Sequence, residues 1–298
     1  MIPTHKSDPT TTDKPAVRLH DVEQTFALPD GGRLTALENI NLDIQPGEFV
    51  SLIGPSGCGK STLLRIVGDL IRPTGGKVEV NGKSAHDARL ARDYGMVFQA
   101  PVLFDWRTVE SNVRLPLELM GMDKAQREKR VKDMLELVEL GQFMRNYPRQ
   151  LSGGMQQRVA IARALALEPA LLLMDEPFGA LDEMTRERLN AEVLRIWRQT
   201  GTTVIFVTHS IPEAVFLSTR VVVMSPRPGR ITNVIEIDLA QPRNEQTRES
   251  ERYFELVTEV RESPRGRRGD GVARDGTAGD GVSGVASAAR VQAEGAVG

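Results

Sequence analysis

The strongest chemical signal in the chain is a glycine-rich segment that ends in a lysine and two hydroxyl residues. Its residues are, in order, Gly54, Pro55, Ser56, Gly57, Cys58, Gly59, Lys60, Ser61 and Thr62. They match the pattern GxxxxGK[ST] between an apolar run at 48–53 and a helical stretch at 61–68, which is the strand-loop-helix context that a phosphate-binding loop requires. Glycines let backbone N–H groups turn inward around phosphate oxygens, and the helix N-terminus adds partial positive charge. The segment therefore predicts a nucleotide site, against the alternative of a plain glycine-rich turn.

Within this loop two side chains have predicted contacts with a nucleotide and its metal ion. Lys60 is expected to contact the β- and γ-phosphates, and the Ser61 hydroxyl is expected to bind Mg²⁺. Cys58 belongs to the predicted nucleotide-binding loop, but it occupies a variable position that requires only a small residue.

A second signal is an apolar run at 171–174 that ends in two carboxylates, Asp175 and Glu176. Asp175 is expected to hold Mg²⁺ at the carboxyl end of a strand, where α/β sheets place their ligands. Glu176 is then positioned to polarise an attacking water. The alternative is a solvated strand end or a helix cap, which a neighbouring phosphate loop makes the weaker interpretation.

Phosphate sites alone leave kinases, GTPases and ATPases open, and a third segment discriminates among them. Ser152, Gly153 and Gly154 precede a helical run that reaches Leu167. They build a second helix N-terminus with exposed N–H groups, which can bind an anion. The alternative is an ordinary Ser N-cap, which is the weaker interpretation because the chain already has one anion-binding helix end.

At this point the motifs resemble those of ATP-binding cassette (ABC) ATPases, and the resemblance covers about residues 17–262. The segment Leu151-Ser152-Gly153-Gly154-Met155 is similar to the family signature, with Met155 where Gln is more usual. The resemblance implies an α/β fold: a P-loop NTPase (RecA-like) core, an antiparallel β subdomain and a helical signature subdomain. It also implies a head-to-tail dimer of cassettes, in which Ser152, Gly153 and Gly154 of one copy close over the γ-phosphate held by the other.

The same resemblance implies roles for four further residues. Gln99 matches the glutamine that senses magnesium and the attacking water, and His209 matches the switch histidine that contacts the γ-phosphate. Asp182 matches the D-loop that links the two nucleotide sites. Phe26 falls where the family usually has a Tyr stacked on adenine, a contact that a phenyl ring can also make. The alternatives are a surface Gln, a structural His and a core Phe; Ser210 stands where many relatives carry Asp.

Three stretches resemble importer cassettes of the nitrate, sulfonate and taurine group: residues 101–109, 175–182 and 224–231. Residues 208–215 resemble members of that group that serve pyrimidine-type and other heterocycles at least as well. The solute stays open, because the resemblance implies that no residue of a cassette touches it.

An importer cassette implies partners: a second cassette, transmembrane permease subunits and, through the complex, an extracytoplasmic solute-binding protein. It also implies a place at the cytoplasmic face of the cell membrane. Three rivals remain: a soluble ABC ATPase of DNA repair or translation, a P-loop small-molecule kinase, and a non-catalytic nucleotide-gated module. The first usually has paired cassettes, coiled-coil arms or zinc-binding cysteines, the second would lack the signature, and intact Asp175, Glu176 and His209 argue against the third.

The elements that must position these residues alternate between strand and helix. Strands are predicted at 48–53, 77–81, 94–98, 171–174, 203–207 and 220–224. Several are continuous apolar runs, which indicates a parallel sheet covered by helices on both faces. Residues 101–169 are mostly helical in pattern, with an apolar stripe at Val131, Met134, Leu135 and Val138, and are predicted to be a helical insertion in the sheet domain.

Composition sets the outer limits. The 298 residues include 38 basic and 40 acidic side chains, a net charge of -2 that does not indicate a nucleic-acid partner. No apolar run approaches the ~20 residues of a membrane-spanning helix, no signal peptide is recognisable, and one cysteine excludes an intrachain disulfide. Residues 1–16 and the Gly- and Ala-rich residues 264–298 are predicted to be disordered, which leaves the ATPase domain at 17–263.

Overall fold

The strands form two sheets in the computed structural model, which describes residues 14–263. The strands are β1 Val17–Ala27, β2 Arg33–Ile44, β3 Phe49–Ile53, β4 Gly75–Val80, β5 Lys83–Ser84, β6 Tyr94–Val97, β7 Leu171–Asp175, β8 Thr203–Val207, β9 Arg220–Met224 and β10 Ile231–Glu236. The helices are α1 Lys60–Val67, α2 Ala85–Ala91, α3 Val109–Leu119, α4 Lys124–Leu137, α5 Gly153–Leu165, α6 Glu183–Thr200, α7 Ile211–Leu217, α8 Glu245–Arg248 and α9 Glu251–Glu262. Within residues 14–263, none of these helices has both the length and the apolar character needed to cross a bilayer.

The larger sheet has six strands in the order β10-β9-β3-β8-β7-β6. All neighbours pair in parallel except β10, which runs antiparallel to β9 at one edge. Strand β3 shows why its sequence is almost wholly apolar: Val50 and Leu52 enter one buried cluster, and Phe49 and Ile53 enter another on the opposite face. Because successive side chains of a strand point to opposite faces, a sheet covered on both sides needs apolar residues at every position.

The smaller sheet is antiparallel, in the order β2-β1-β4-β5. Its strands alternate buried and exposed residues, with irregular register around Asp21. Its apolar face belongs to the same buried cluster as Leu63 and Leu64 of α1 and one face of the large sheet. This sheet therefore covers the helix that follows the glycine-rich loop.

Helices α3, α4 and α5 lie between β6 and β7 in the chain, together with the short 3-10 helices Gly141–Phe143 and Pro148–Gln150. Val131, Met134 and Leu135 of α4 are buried in the cluster on the far side of the large sheet, as the stripe predicts. Helix α5 lies close to β6. A Cβ atom at Gly95 of β6 would be only 2.5 Å from the carbonyl oxygen of Ala164 in α5, so the helix packs this closely only against a glycine. The helix that begins at the signature segment is thus packed against the sheet edge at β6.

The predicted α/β class, with a parallel core sheet and a separate antiparallel sheet, is confirmed. The strands predicted at 203–207 and 220–224 have the predicted bounds, whereas the one at 77–81 is β4 and belongs to the antiparallel sheet. The predicted disordered segments lie outside the described residues, apart from residues 14–16.

Candidate active site

The glycine-rich loop joins β3 to α1 and has a backbone that two of its glycines make possible. Gly57 and Gly59 have φ values of 74° and 103°, in the region that favours glycine. At Gly59, a Cβ atom would also lie 2.6 Å from Cδ2 of Leu37 in β2. Gly59 is the N-cap of α1, so the unpaired N–H groups of the first helical turn open towards the loop. This geometry supports the predicted anion site.

Lys60 lies inside the loop. Its ammonium group donates hydrogen bonds to the carbonyl oxygens of Gly54 at 2.8 Å and Pro55 at 3.2 Å, and its side chain is buried. No carboxylate pairs with Lys60 among the ion pairs of residues 14–263. The ammonium group also lies 3.8 Å from the sulfur of Cys58. A buried cation whose partners are all neutral is a strong binding partner for phosphate.

Cys58 differs from the rest of the loop in where its side chain goes. It is 1% exposed and belongs to the apolar cluster under the antiparallel sheet, while its backbone N–H donates to the carbonyl of Pro55 at 3.3 Å. Its thiol therefore packs in the core, as its variable position in the motif indicates.

Asp175 at the end of β7 meets the first turn of α1. The Ser61 hydroxyl donates to Oδ1 of Asp175 at 2.6 Å, and Arg65 lies 3.9 Å from Oδ2. The Ser61 hydroxyl and the Asp175 carboxylate come from positions 114 residues apart in the chain, and both belong to motifs predicted to bind magnesium. The fold brings them together.

Glu176 follows immediately and has a positive φ of 47°, while its N–H donates to the carbonyl of Val207 at 3.0 Å. This turn directs its carboxylate towards β8, where Oε2 lies 3.4 Å from Nδ1 of the exposed His209. Gln99 lies near the same group: a Cβ atom at Gly179 would be 3.2 Å from Nε2 of Gln99 and 3.7 Å from Oε2 of Glu176. Three of the predicted catalytic side chains therefore gather at the carboxyl ends of β6, β7 and β8.

The signature segment and the D-loop contact each other within the chain. Ser152 is the N-cap of α5 and accepts a hydrogen bond from the Met155 N–H at 3.3 Å. Cβ atoms at Gly153 and Gly154 would lie 3.3 Å from Leu181 and 2.9 Å from Thr185, respectively. Ser152 and Gly153 are nevertheless exposed, so this helix end is accessible from outside the chain.

Asp182 is the N-cap of α6, and its Oδ1 accepts a hydrogen bond from the Thr185 N–H at 3.0 Å. This bond to the backbone of Thr185 is the main cause that holds the pKa of Asp182 below its ordinary value. Asp182 therefore stays ionised at neutral pH at an exposed position beside the signature.

Phe26 lies near the end of β1, opposite Leu34 of β2, and is half-buried. It is absent from both buried clusters, so the alternative of a core phenylalanine is the weaker one. Its half-buried position leaves part of the side chain accessible to a ligand.

Sequence reasoning missed two residues that hold the segment around Gln99. Gln157 of α5 is 1% exposed and donates to the carbonyl of Phe98 at 3.0 Å. Arg163 donates to the carbonyls of Pro101 at 3.0 Å and Val102 at 2.8 Å, and burial lowers its pKa. The available signal was a polar residue on the inward face of an otherwise apolar helix.

Known proteins are similar to this chain over most of its length. The family model described as ABC transporter matches residues 37–179. The aliphatic sulfonates import ATP-binding protein SsuB of Bacillus anthracis is 48% identical over 244 residues, which are 82% of this chain and 94% of that protein. The taurine import ATP-binding protein TauB of Jannaschia sp. is 46% identical over 213 residues, 72% of this chain and 79% of that protein.

Among solved structures, the chain is similar to the dimeric structure of the ABC transporter cassette MJ0796. The TM-score is 0.65 at 38% identity, over 74% of this chain and 98% of that one. The post-hydrolysis state of the same cassette, bound to ADP and Pi, matches with a TM-score of 0.64 at 37% identity over the same shares of both chains.

Proposed function

The chain belongs to the ATP-binding proteins of ABC transporters, and from this premise we propose how its residues bind and hydrolyse ATP. It is the ATP-binding subunit of an importer, its reaction is ATP hydrolysis coupled to transport, and its nucleotides are ATP and ADP. Two contacts between distant segments support the residue assignments. Ser61 donates a hydrogen bond to Asp175, and the neighbouring Glu176 lies against His209.

Nucleotide binding is assigned to the loop of residues 54–62 and to Phe26. Lys60 and the N–H groups at the start of α1 bind the β- and γ-phosphates. The partly exposed ring of Phe26 is proposed to stack on adenine. Lys60 exchanges its carbonyl partners for phosphate oxygens, which are stronger acceptors because they are charged.

Magnesium fits the donor atoms present. Mg²⁺ in nucleotide sites is bound by one or two protein oxygens together with substrate phosphates, and the Ser61 hydroxyl and the Asp175 carboxylate supply such a pair at 2.6 Å. Gln99 is proposed as the third, more exposed ligand. The ion neutralises charge on the phosphate oxygens when bound.

Hydrolysis requires a base and a group that contacts the γ-phosphate. Glu176 is proposed to orient and deprotonate the attacking water, and His209, 3.4 Å from it, to contact the γ-phosphate. Gln99, whose amide lies against Gly179 beside Glu176, is proposed to detect the bound water and metal.

A second copy of the chain is proposed to complete each site. Ser152 and Gly153 are exposed at the N-terminus of α5, and together with the buried Gly154 they are proposed to bind the γ-phosphate of the partner copy. Asp182 lies beside this helix end and is proposed to link the two sites across the dimer.

Transport requires chains that cross the membrane. We propose permease subunits, each of which inserts a helix into the groove between the Gln99 loop and helices α3 to α5, at the cytoplasmic face of the membrane. Exposed apolar side chains at Val102, Trp106 and Leu119 suit such a contact. An extracytoplasmic solute-binding protein is proposed to deliver the solute to the permease.

The solute is proposed to belong to the nitrate, sulfonate and taurine class, and the names of SsuB and TauB favour a sulfonate within it. Uptake of labelled taurine, an alkanesulfonate, nitrate and a thiamine-type pyrimidine by a strain lacking this chain, compared with the complemented strain, tests this. Loss of sulfonate uptake alone supports the proposal, and loss of pyrimidine uptake alone replaces it with the heterocycle alternative. Intact uptake of all four contradicts both.

A further inference from the structure

Two buried polar side chains lie on either side of His209 in the sequence, and neither belongs to the proposed catalytic set. Thr208 is 4% exposed and Glu213, in the first turn of α7, is 5% exposed. The Thr208 hydroxyl donates to Oε2 of Glu213 at 2.5 Å and accepts from the Ser210 N–H at 3.0 Å. One hydroxyl therefore connects the residue before His209, the residue after it and a buried carboxylate.

The direction of these bonds matters. A hydroxyl has one donor and two acceptor lone pairs, so donating its proton to the carboxylate leaves a lone pair for the Ser210 N–H. The resulting turn fixes the backbone on both sides of His209, whose own side chain is exposed. The rotation of the Thr208 hydroxyl, and with it the turn, is set by Glu213.

A buried carboxylate at Glu213 reduces the stability of the fold. Its Oε1 has no hydrogen-bond partner within residues 14–263, and burial raises its pKa, against the opposing effects of Thr208 and of Arg186 in α6. Asn190, also buried and in α6, lowers the same pKa and has an Oδ1 without a partner in the described chain. A buried carboxylate that is only partly satisfied reduces stability, so stability alone does not explain it.

We infer that Thr208 and Glu213 are positioning residues for His209. The Glu213 carboxylate orients the Thr208 hydroxyl, and that hydroxyl accepts the Ser210 N–H and so fixes the backbone on both sides of His209. The pair sets where the imidazole stands relative to Glu176 and the γ-phosphate. This inference rests on the proposed role of His209.

Thr208→Val keeps the shape of the side chain and removes the donor. We expect kcat for ATP hydrolysis by the full-length chain to fall about tenfold or more, because misplacing a catalytic group by ~1 Å can cost up to about 100-fold. The KM and the nucleotide affinity should change less than about twofold, because Thr208 does not contact the nucleotide. Thr208→Ser restores the hydroxyl and should recover most of kcat.

Ser218→Ala is the matched control. Ser218, the C-cap of α7, donates to the equally buried Ser51 at 2.5 Å, so this variant also loses one buried hydroxyl bond, at the end of α7 opposite to Ser210. It should lower the melting temperature about as much as Thr208→Val and leave kcat unchanged, because its hydroxyl does not bond the turn around His209. A loss of kcat in both variants in proportion to lost stability would overturn the inference.

A double-mutant cycle tests the pair. Glu213→Met fills a similar volume without an acceptor, and the double variant with Thr208→Val should lose no more kcat than the worse single variant, because the two residues act as one unit. Additive losses contradict this. His209→Ala distinguishes the proposed role of His209 from the positioning role of Thr208 and Glu213. Full activity of His209→Ala removes the role of His209. An inactive His209→Ala together with a fully active Thr208→Val removes only the positioning role.

Discussion

At the scale of single residues, the site is a set of charged groups whose neighbours are mostly neutral. Lys60 is buried among carbonyl oxygens, and Glu176 has an exposed imidazole as its near neighbour. Such groups are held ready for a charged ligand rather than neutralised by the protein itself. Changing one of them should alter chemistry or nucleotide affinity more than folding.

Replacing Glu176 with Gln removes the proposed base and keeps the size of the side chain. We expect ATP turnover to fall at least about 100-fold while ATP still binds, because a general base contributes roughly 10²–10⁴-fold. Phosphate release and ATP affinity, measured on the same preparation, check this. Glu168→Gln, at an exposed position away from the site, should be active, and undiminished turnover in Glu176→Gln would remove Glu176 from its role.

Replacing Lys60 with Ala should weaken ATP binding about tenfold or more, because a hydrogen bond to a charged group contributes roughly 1.5–3 kcal/mol. Calorimetric titration with a non-hydrolysable ATP analogue measures the change. Lys124→Ala, on the exposed face of α4, is the control and should bind normally. Equal affinity in the two variants contradicts the phosphate-loop assignment.

At the scale of elements, α7 is held at both ends by the segment that follows β10. Arg243 is buried and donates to the carbonyls of Val215, Phe216 and Ser218 at the end of the helix, at 2.8–3.3 Å. Tyr253 of α9 donates to the carbonyl of Pro212 in its first turn at 3.0 Å. The last carbonyls of a helix lack intrahelical donors, so a buried guanidinium stabilises them, although burial lowers the pKa of Arg243 to about 10.

Arg243→Ala should therefore reduce the free energy of unfolding by about 2 kcal/mol, because several buried carbonyls lose their donor. Urea denaturation followed by circular dichroism measures it. Arg252→Ala, which breaks an exposed ion pair with Asp238 in the same segment, should hardly change stability. Equal effects would mean that the buried contacts of Arg243 contribute nothing.

At the scale of the whole molecule, the residues of the proposed reaction site lie at two separate places in the chain. The phosphate loop with Glu176 forms one, and the exposed helix end at Ser152 and Gly153 forms the other, packed on the D-loop helix. The solved cassette to which the chain is similar is dimeric. ATP should therefore act as part of the contact between two copies.

Gly153→Asp places a carboxylate where the proposed dimer brings the partner's γ-phosphate. ATP affinity should stay normal, because Gly153 is not part of the site in its own chain, but like charges should prevent dimer closure. Light scattering with ATP should show a dimer for Glu176→Gln and a monomer for the double variant with Gly153→Asp. An ATP-dependent dimer of the double variant would contradict the proposed signature contact.

The sequence by itself determined the class of fold and the kind of ligand. A phosphate loop is built from consecutive backbone N–H groups, so Gly57, Gly59 and Lys60 are recognisable from their order alone. The core strands are equally local, because both faces are covered and each strand is a short apolar run. Strands β1 and β2 gave no such run, since only one of their faces is buried.

Only the tertiary structure decided which of these residues meet and which polar groups are buried. Ser61 and Asp175 are 114 positions apart, and Gln157 reaches Phe98 across 59. Even Thr208 and Glu213, five positions apart, form an unremarkable pair in the sequence, because nothing in their spacing reveals that both are buried and bonded to each other. Burial and non-local contact depend on how elements pack, and here they bury two ordinary polar residues that are proposed to position His209.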